Sequence, residues 1–148
     1  MKFVAPTVAE TQDIGARLAR VLRAGDLIVL TGPLGAGKTA FVQGLGAGLH
    51  VEGRIASPTF VIARVHPGNP TLVHVDAYRL GSLAEVDDLD LDVDAADVVT
   101  AVEWGAGLVE QLSDARLEIT LERTTDSEER TITLTPYGGD WAERINAI

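Results

Sequence analysis

The sequence predicts an α/β domain built on a mixed β-sheet, with parallel strands at its centre and antiparallel strands added to them. In the first two thirds of the chain, short apolar segments alternate with amphipathic ones, as they do when helices connect parallel strands. Near the carboxyl end, two apolar segments are separated only by a polar loop, which indicates an antiparallel hairpin. At 148 residues the chain suits one hydrophobic core, so residues 1–148 are predicted to form a single domain.

The first predicted elements are a helix and a buried strand. Thr7 and Glu10 have the spacing of a capping box, which predicts a helix that begins after Thr7. The apolar stripe of this helix consists of Ile14, Leu18, Val21 and Leu22. Gly25 is predicted to terminate the helix. Residues 26–31, Asp-Leu-Ile-Val-Leu-Thr, are rich in branched side chains and predict a buried parallel strand.

The other elements follow from the same patterns. Helices are predicted over residues 38–49, 82–91, 105–112 and 140–147, and strands over residues 55–65, 71–75, 98–102, 116–122 and 131–135. The turn at residues 67–70, Pro-Gly-Asn-Pro, predicts a hairpin between the strands that flank it. The polar residues 123–130 predict the loop of a second hairpin.

Residues 32–39, here called the glycine loop, read Gly-Pro-Leu-Gly-Ala-Gly-Lys-Thr and match the Walker A pattern in full. Glycines allow several backbone N–H groups to converge on one anion, and the helix that follows adds the positive end of its dipole. Lys38 is expected to reach the β- and γ-phosphates of a nucleotide, and Thr39 to offer its hydroxyl to Mg²⁺. The loop therefore predicts a three-layer sandwich of the P-loop NTPase type. The predicted nucleotide-binding residues of this segment are Gly32, Gly35, Ala36, Gly37, Lys38, Thr39 and Ala40.

Two acidic residues are candidates for the metal and for water. Asp76 and Glu103 each end an apolar strand, where α/β sheets place their ligands. One is expected to touch the metal shell, and the other to orient water or to link to a mobile loop. His74 shares a strand face with Asp76 by alternation. Ser57 and Thr59 lie where P-loop proteins carry a switch segment that senses the γ-phosphate.

Composition argues against several classes of protein. The formal charge of −10 argues against direct binding of DNA or RNA, and no apolar run approaches the roughly 20 residues of a membrane span. Cysteine is absent, which fits a cytoplasmic location, and the three histidines are scattered, so a zinc site is not expected. The aspartates between residues 87 and 97 lack the glycine and glutamate of a calcium loop and are interpreted as a solvated acidic face.

Four motifs in order carry a resemblance to a known family. They are the glycine loop, Ser-Pro-Thr-Phe at residues 57–60, His-Val-Asp-Ala-Tyr-Arg-Leu at residues 74–80, and Glu103 followed by Trp104. With these motifs the chain resembles the bacterial tRNA threonylcarbamoyladenosine biosynthesis ATPases of the TsaE family, formerly called YjeE. The likeness extends from about residue 7 to about residue 135.

The resemblance implies a weak ATPase that requires Mg²⁺ and supports threonylcarbamoylation of adenosine 37 in tRNA. It implies TsaD and TsaB as protein partners, with tRNA reached only through them. Carried over to this sequence, Thr39 and Glu103 bind Mg²⁺ and Asp76 is essential to hydrolysis. Thr7 and the loop near Arg130 are expected near the adenine.

Two alternative functions remain open. One is a small-molecule or nucleoside kinase on the same loop, although 148 residues leave little room for an acceptor pocket and a lid. The other is a switch in which ATP occupancy alone sets the affinity for a partner. A Ras-like GTPase is disfavoured, because no Asn-Lys-x-Asp segment is present. No catalytic arginine is evident from the sequence, so hydrolysis is expected to be slow alone and faster with partners.

Overall fold

The computed structural model describes residues 1–33, 35–53, 55, 63–76, 95–103, 115–123 and 127–148. The strands are β1 (Lys2–Ala5), β2 (Leu27–Thr31), β3 (Ala63–His66), β4 (Thr71–Asp76), β5 (Val98–Glu103), β6 (Arg116–Arg123) and β7 (Arg130–Tyr137). The helices are α1 (Val8–Ala19), α2 (Lys38–Gly48) and α3 (Trp141–Arg144). Single turns of 3-10 helix precede β5 at Ala95–Asp97 and follow α3 at Ile145–Ala147.

Within these residues, the strands form one mixed sheet in the order β1-β7-β6-β2-β5-β4-β3. The central strand β2 is parallel to both of its neighbours, β5 and β6, and β4 is parallel to β5. The pairs β1–β7, β6–β7 and β3–β4 are antiparallel. This arrangement confirms the predicted class, a parallel centre with antiparallel additions.

Helix α1 begins as predicted but ends earlier. The Thr7 hydroxyl accepts a hydrogen bond from the Glu10 N–H at 3.2 Å, and the Thr7 N–H donates to the Glu10 carboxylate at 3.2 Å, so the capping box is confirmed. The prediction that Gly25 terminates the helix is wrong, because α1 ends at Ala19. A tighter turn, in which the Leu22 N–H donates to the Ala19 carbonyl, follows it. Gly25 instead leads into β2. Its φ is 94°, and its N–H donates a hydrogen bond to the carbonyl oxygen of Val98.

Helices α1 and α2 pack with their backbones in direct contact. A Cβ on Gly44 of α2 would lie only 1.9 Å from the carbonyl oxygen of Gln12 in α1. A Cβ on Gly15 of α1 would lie 2.4 Å from the carbonyl oxygen of Phe41. Glycine at both positions therefore lets the helices approach closely, and α1 holds α2 at the end of β2.

Strand β1 was not predicted from the sequence. It has only four residues and pairs antiparallel with β7, so that Val4 lies opposite Thr131. The backbone of Met1 extends the pairing, since its carbonyl accepts from the Leu134 N–H at 2.7 Å. The hydrogen-bond partners of β1 lie in β7, about 130 positions later in the chain, so no local sequence pattern indicates this strand.

The two predicted hairpins, β3–β4 and β6–β7, are confirmed. Of the strand predicted over residues 55–65, residues 63–65 belong to β3, Ile55 lies outside any strand, and residues 56–62 lie outside the described part of the chain. The helices predicted over residues 82–91 and 105–112 lie outside the described residues. The final predicted helix is α3 together with its 3-10 turn. In the described part of the chain, no helix is long and apolar enough to cross a membrane.

Candidate functional site

The glycine loop lies at the carboxyl end of the central strand and leads directly into α2. Gly35 and Gly37 have φ values of 79° and 98°, which side-chain-bearing residues rarely adopt. Gly37 is the N-cap of α2 and makes no side-chain capping hydrogen bond. A glycine cap has no side chain that could accept from the first N–H groups of the helix, and a helix N-terminus of this kind suits an anion. The predicted nucleotide-binding residues, Gly32 and Gly35 to Ala40, therefore lie in one continuous segment that runs from the end of β2 into the first turn of α2.

Lys38 is folded back into this loop. The residue is only 6% exposed, and its Nζ donates to the carbonyl oxygen of Gly32 at 2.6 Å. The amine therefore lies beside the backbone of the loop, where the sequence places the phosphates of a nucleotide. Buried lysines are uncommon in proteins, and this one is held by its hydrogen bond to the loop.

Glu103 lies next to the loop because of strand register. It ends β5 and is the register partner of Leu30 in β2 on one side and of Asp76 in β4 on the other. The two acidic candidates are therefore adjacent across the parallel strands, as their positions at strand ends predict. The backbone of Asp76 is described, whereas its side chain is not.

A buried histidine holds the Glu103 carboxylate. His74 Nε2 lies 2.6 Å from Glu103 Oε2, and the two side chains are 0% and 6% exposed. The two atoms share one hydrogen bond, and the tautomer of the ring decides which of them donates. The other ring nitrogen, Nδ1, has no hydrogen-bond partner among the described residues. The sequence suggested that His74 faces the same side as Asp76 but did not identify Glu103 as its partner.

The available donors fit magnesium. No group of three or more His, Cys, Asp or Glu residues that could hold a metal is found in the described residues. Magnesium bound with a nucleotide needs fewer protein ligands, because phosphates and water complete its octahedron. The hydroxyl of Thr39, in the first turn of α2, and the carboxylate of Glu103 are hard oxygen donors of the required kind.

Two arginines approach the glycine loop from the β6–β7 hairpin. Arg123 and Arg130 are register partners at the end of that hairpin. Arg130 Nη2 donates to the carbonyl oxygen of Gly35 at 3.3 Å, and Arg123 Nη1 lies 3.9 Å from where a Cβ of Gly35 would be. The sequence placed the loop near Arg130 beside the adenine and did not link it to the glycine loop. The predicted hairpin already paired these ends of the loop, which is the signal that could have located both arginines.

The structure does not test three of the predicted site residues, Thr7, Ser57 and Thr59. Thr7 caps α1 and is exposed, and its contact with a nucleotide stays a prediction. Ser57 and Thr59 lie outside the described residues, and their role as a switch also stays a prediction.

Comparisons with known proteins agree with one another. Residues 5–132 match the family model of the threonylcarbamoyl adenosine biosynthesis protein TsaE. The tRNA threonylcarbamoyladenosine biosynthesis protein TsaE of Streptomyces coelicolor is 55% identical over 138 residues, which cover 88% of this chain and 93% of that protein. The TsaE protein of Mycobacterium tuberculosis is 50% identical over 138 residues, 86% of this chain and 82% of that protein. The crystal structure of Bacillus subtilis YdiB superposes with a TM-score of 0.78 at 33% identity, covering 99% of this chain and 91% of that one. The chain therefore belongs to the TsaE family of tRNA threonylcarbamoyladenosine biosynthesis proteins.

Proposed function

We propose that this chain binds Mg-ATP at the glycine loop and hydrolyses it slowly, in support of threonylcarbamoylation of adenosine 37 in tRNA. It would act in the cytoplasm with the TsaD–TsaB transferase complex and reach tRNA through those partners. One observation carries the proposal, namely a complete Walker A segment between a buried central strand and a helix whose N-cap is a left-handed glycine. A glycine-rich loop that leads into a helix N-terminus suits the phosphates of a nucleotide, because backbone N–H groups can converge on an anion there.

The side chains around the loop have distinct roles in this proposal. Lys38 would exchange its hydrogen bond to the Gly32 carbonyl for the β- and γ-phosphates. Thr39 and Glu103 would hold Mg²⁺, which when bound neutralises part of the phosphate charge. His74 keeps the Glu103 carboxylate oriented. Asp76, next to Glu103 in the sheet, would position the attacking water.

The net charge of −10 does not oppose this proposal. At physiological ionic strength, charges further away than about 8 Å are largely screened. Among the described residues, Lys38, Arg123 and Arg130 lie against the glycine loop, and Glu103 ends the neighbouring strand. The charge beside the loop is therefore less negative than that of the chain as a whole, which suits an anion better than the net charge suggests.

Titration calorimetry with Mg-ATP tests the binding step directly. We expect a saturable heat for the wild-type chain and an affinity at least about tenfold weaker for Lys38→Ala, because a charge-assisted contact is lost. Lys2→Ala is the matched control, since this residue is exposed in the edge strand β1. An absence of heat with folded wild-type protein at millimolar Mg-ATP would overturn the proposal.

A second experiment separates hydrolysis from binding as the functional event. The chain and its two proposed partners are combined with tRNA, Mg-ATP and an activated threonylcarbamoyl donor, and modified nucleosides are quantified for the wild type and for Glu103→Gln. We expect both ATP turnover and modification to fall. Full modification without turnover would instead support the non-hydrolytic switch, and ADP formation that depends on a small alcohol or nucleoside would support a kinase.

A further inference from the structure

The guanidinium of Arg130 connects two loops that are distant in sequence. Its Nη1 donates to the carbonyl oxygens of Ser127 and Glu129 at 2.8 and 3.1 Å, within the β6–β7 connection. Its Nη2 donates to the carbonyl oxygen of Gly35 in the glycine loop at 3.3 Å. One planar cation therefore spans the hairpin loop and the glycine loop, which a lysine ammonium could not do with the same geometry.

The same side chain lies against the N-cap of α2. Its Nε, Cγ and Cδ lie 3.5, 3.7 and 3.8 Å from where a Cβ of Gly37 would be. The Nε is buried and has no hydrogen-bond partner in the described part of the chain. Burying a donor unpaired is unfavourable, so the other contacts of Arg130 must hold it in place. Arg130 thus covers Gly35 and Gly37, the two left-handed glycines whose conformation shapes the loop.

We propose that Arg130 is a positioning residue of the nucleotide site, which ties the β6–β7 loop to the glycine loop and holds the latter in its anion-binding conformation. This inference rests on the proposed function, because it assigns Arg130 an effect on nucleotide affinity. Arg130 acts on the backbone of the glycine loop, whose N–H groups serve the phosphates common to ATP and ADP. Its removal therefore weakens both nucleotides alike.

Amide hydrogen exchange in the absence of nucleotide tests the tie itself. We expect the amide of Ala36, which donates to the Pro33 carbonyl at 3.1 Å, to exchange roughly tenfold faster in Arg130→Gln than in the wild-type chain, because the loop loses a charged anchor. Arg64→Gln is the matched control, since Arg64 is exposed on β3 at the opposite edge of the sheet. Unchanged exchange in Arg130→Gln would overturn the proposal. If that variant does not fold, Arg130→Lys, which keeps the charge but not the double anchor, gives the same comparison.

Affinities for Mg-ATP and Mg-ADP provide the second readout. We expect Arg130→Gln to weaken both by about tenfold, Arg130→Lys to weaken both by less, and Arg64→Gln to change neither. A loss confined to ATP would overturn the proposal, because it would place the guanidinium on the γ-phosphate rather than on the loop. If the wild-type chain binds neither nucleotide, the proposed function fails. The exchange experiment still decides whether Arg130 holds the loop.

Discussion

The buried pair of His74 and Glu103 allows a quantitative test of how the site is built. Their 2.6 Å contact is almost fully shielded from water, with side-chain exposures of 0% and 6%. A hydrogen bond to a charged group contributes about 1.5–3 kcal/mol, and little screening applies at this burial. Removing one partner leaves the other polar group buried and unpaired, which adds to the cost.

We therefore expect His74→Leu and Glu103→Met each to lower the free energy of unfolding by about 2 kcal/mol. The double variant replaces the pair by two apolar side chains of similar size, so neither partner is left unpaired. Its loss should be smaller than the sum of the single losses by about 1.5–2 kcal/mol. Urea unfolding followed by circular dichroism, without nucleotide or magnesium, measures all four proteins.

The reasoning is refuted if the loss of stability in the double variant equals the sum of the two single losses to within about 0.5 kcal/mol. Such additivity is the behaviour of independent sites. A functional readout accompanies it. If His74 orients Glu103, His74→Leu should raise the magnesium concentration needed for half-maximal ATP turnover. A purely structural histidine would lower stability and leave the magnesium requirement unchanged.

Three further results are expected from the packing and the charges. Gly44→Ala should lower the free energy of unfolding by about 1–3 kcal/mol in urea titrations, because its Cβ would lie 1.9 Å from the Gln12 carbonyl oxygen. Arg144→Ala should cost about 3 kcal/mol in the same assay, since it leaves the Asp26 carboxylate, only 11% exposed, without its guanidinium. His66→Gln should reduce the loss of thermal stability on acidification, followed as Tm from pH 8 to pH 5. Burial, and then the charges of neighbouring basic groups, lower the pKa of His66 from 6.5, so the unfolded chain takes up the proton first. The stability that neutral His66 contributes is therefore fully present above pH 6.5. It is lost as the pH falls towards the lower pKa of His66 in the folded chain.

Matched variants exist for each of these tests. Ala47→Gly, on the exposed face of α2, should show only the helix propensity effect of about 1 kcal/mol. Arg23→Ala breaks an exposed pair with Asp140, 64% and 46% exposed, and should lower stability much less than Arg144→Ala does. His50→Gln, at an exposed residue outside the sheet, is the corresponding histidine replacement. A Gly44→Ala protein as stable as the wild type, or an Arg144→Ala loss no larger than that of Arg23→Ala, would contradict the packing and burial arguments respectively.

Sequence reasoning succeeded where the deciding interactions are local. The capping box of Thr7 and Glu10 depends on residues three positions apart, and the strand and loop before α2 follow one another directly. The end of α1 is also local, but it was predicted wrongly. Gly25 is a good helix terminator by residue type, whereas the chain had already left the helix through a tighter turn after Ala19.

The interactions that the sequence did not reveal depend on strand register. β1 forms because it can hydrogen-bond to the edge of β7. Its four residues alternate only weakly between polar and apolar, so the sequence does not indicate this pairing. His74 and Glu103 are 29 positions apart and meet because β4 and β5 run parallel in a particular register. A shift of one residue would turn the carboxylate to the other face of the sheet.

The order of strands around β2 explains how charges of opposite sign are distributed about one loop. On one side, the parallel neighbour β5 ends at Glu103, level with the last residues of β2, so an acidic group reaches the edge at which the glycine loop begins. On the other side, the parallel neighbour β6 continues past that edge and turns back as β7, which begins at Arg130. A carboxylate and a guanidinium thus lie on opposite flanks of the same glycine loop. Because β2 lies between β5 and β6, this separation follows from topology, and any sequence that keeps both registers keeps the acid and the arginine apart.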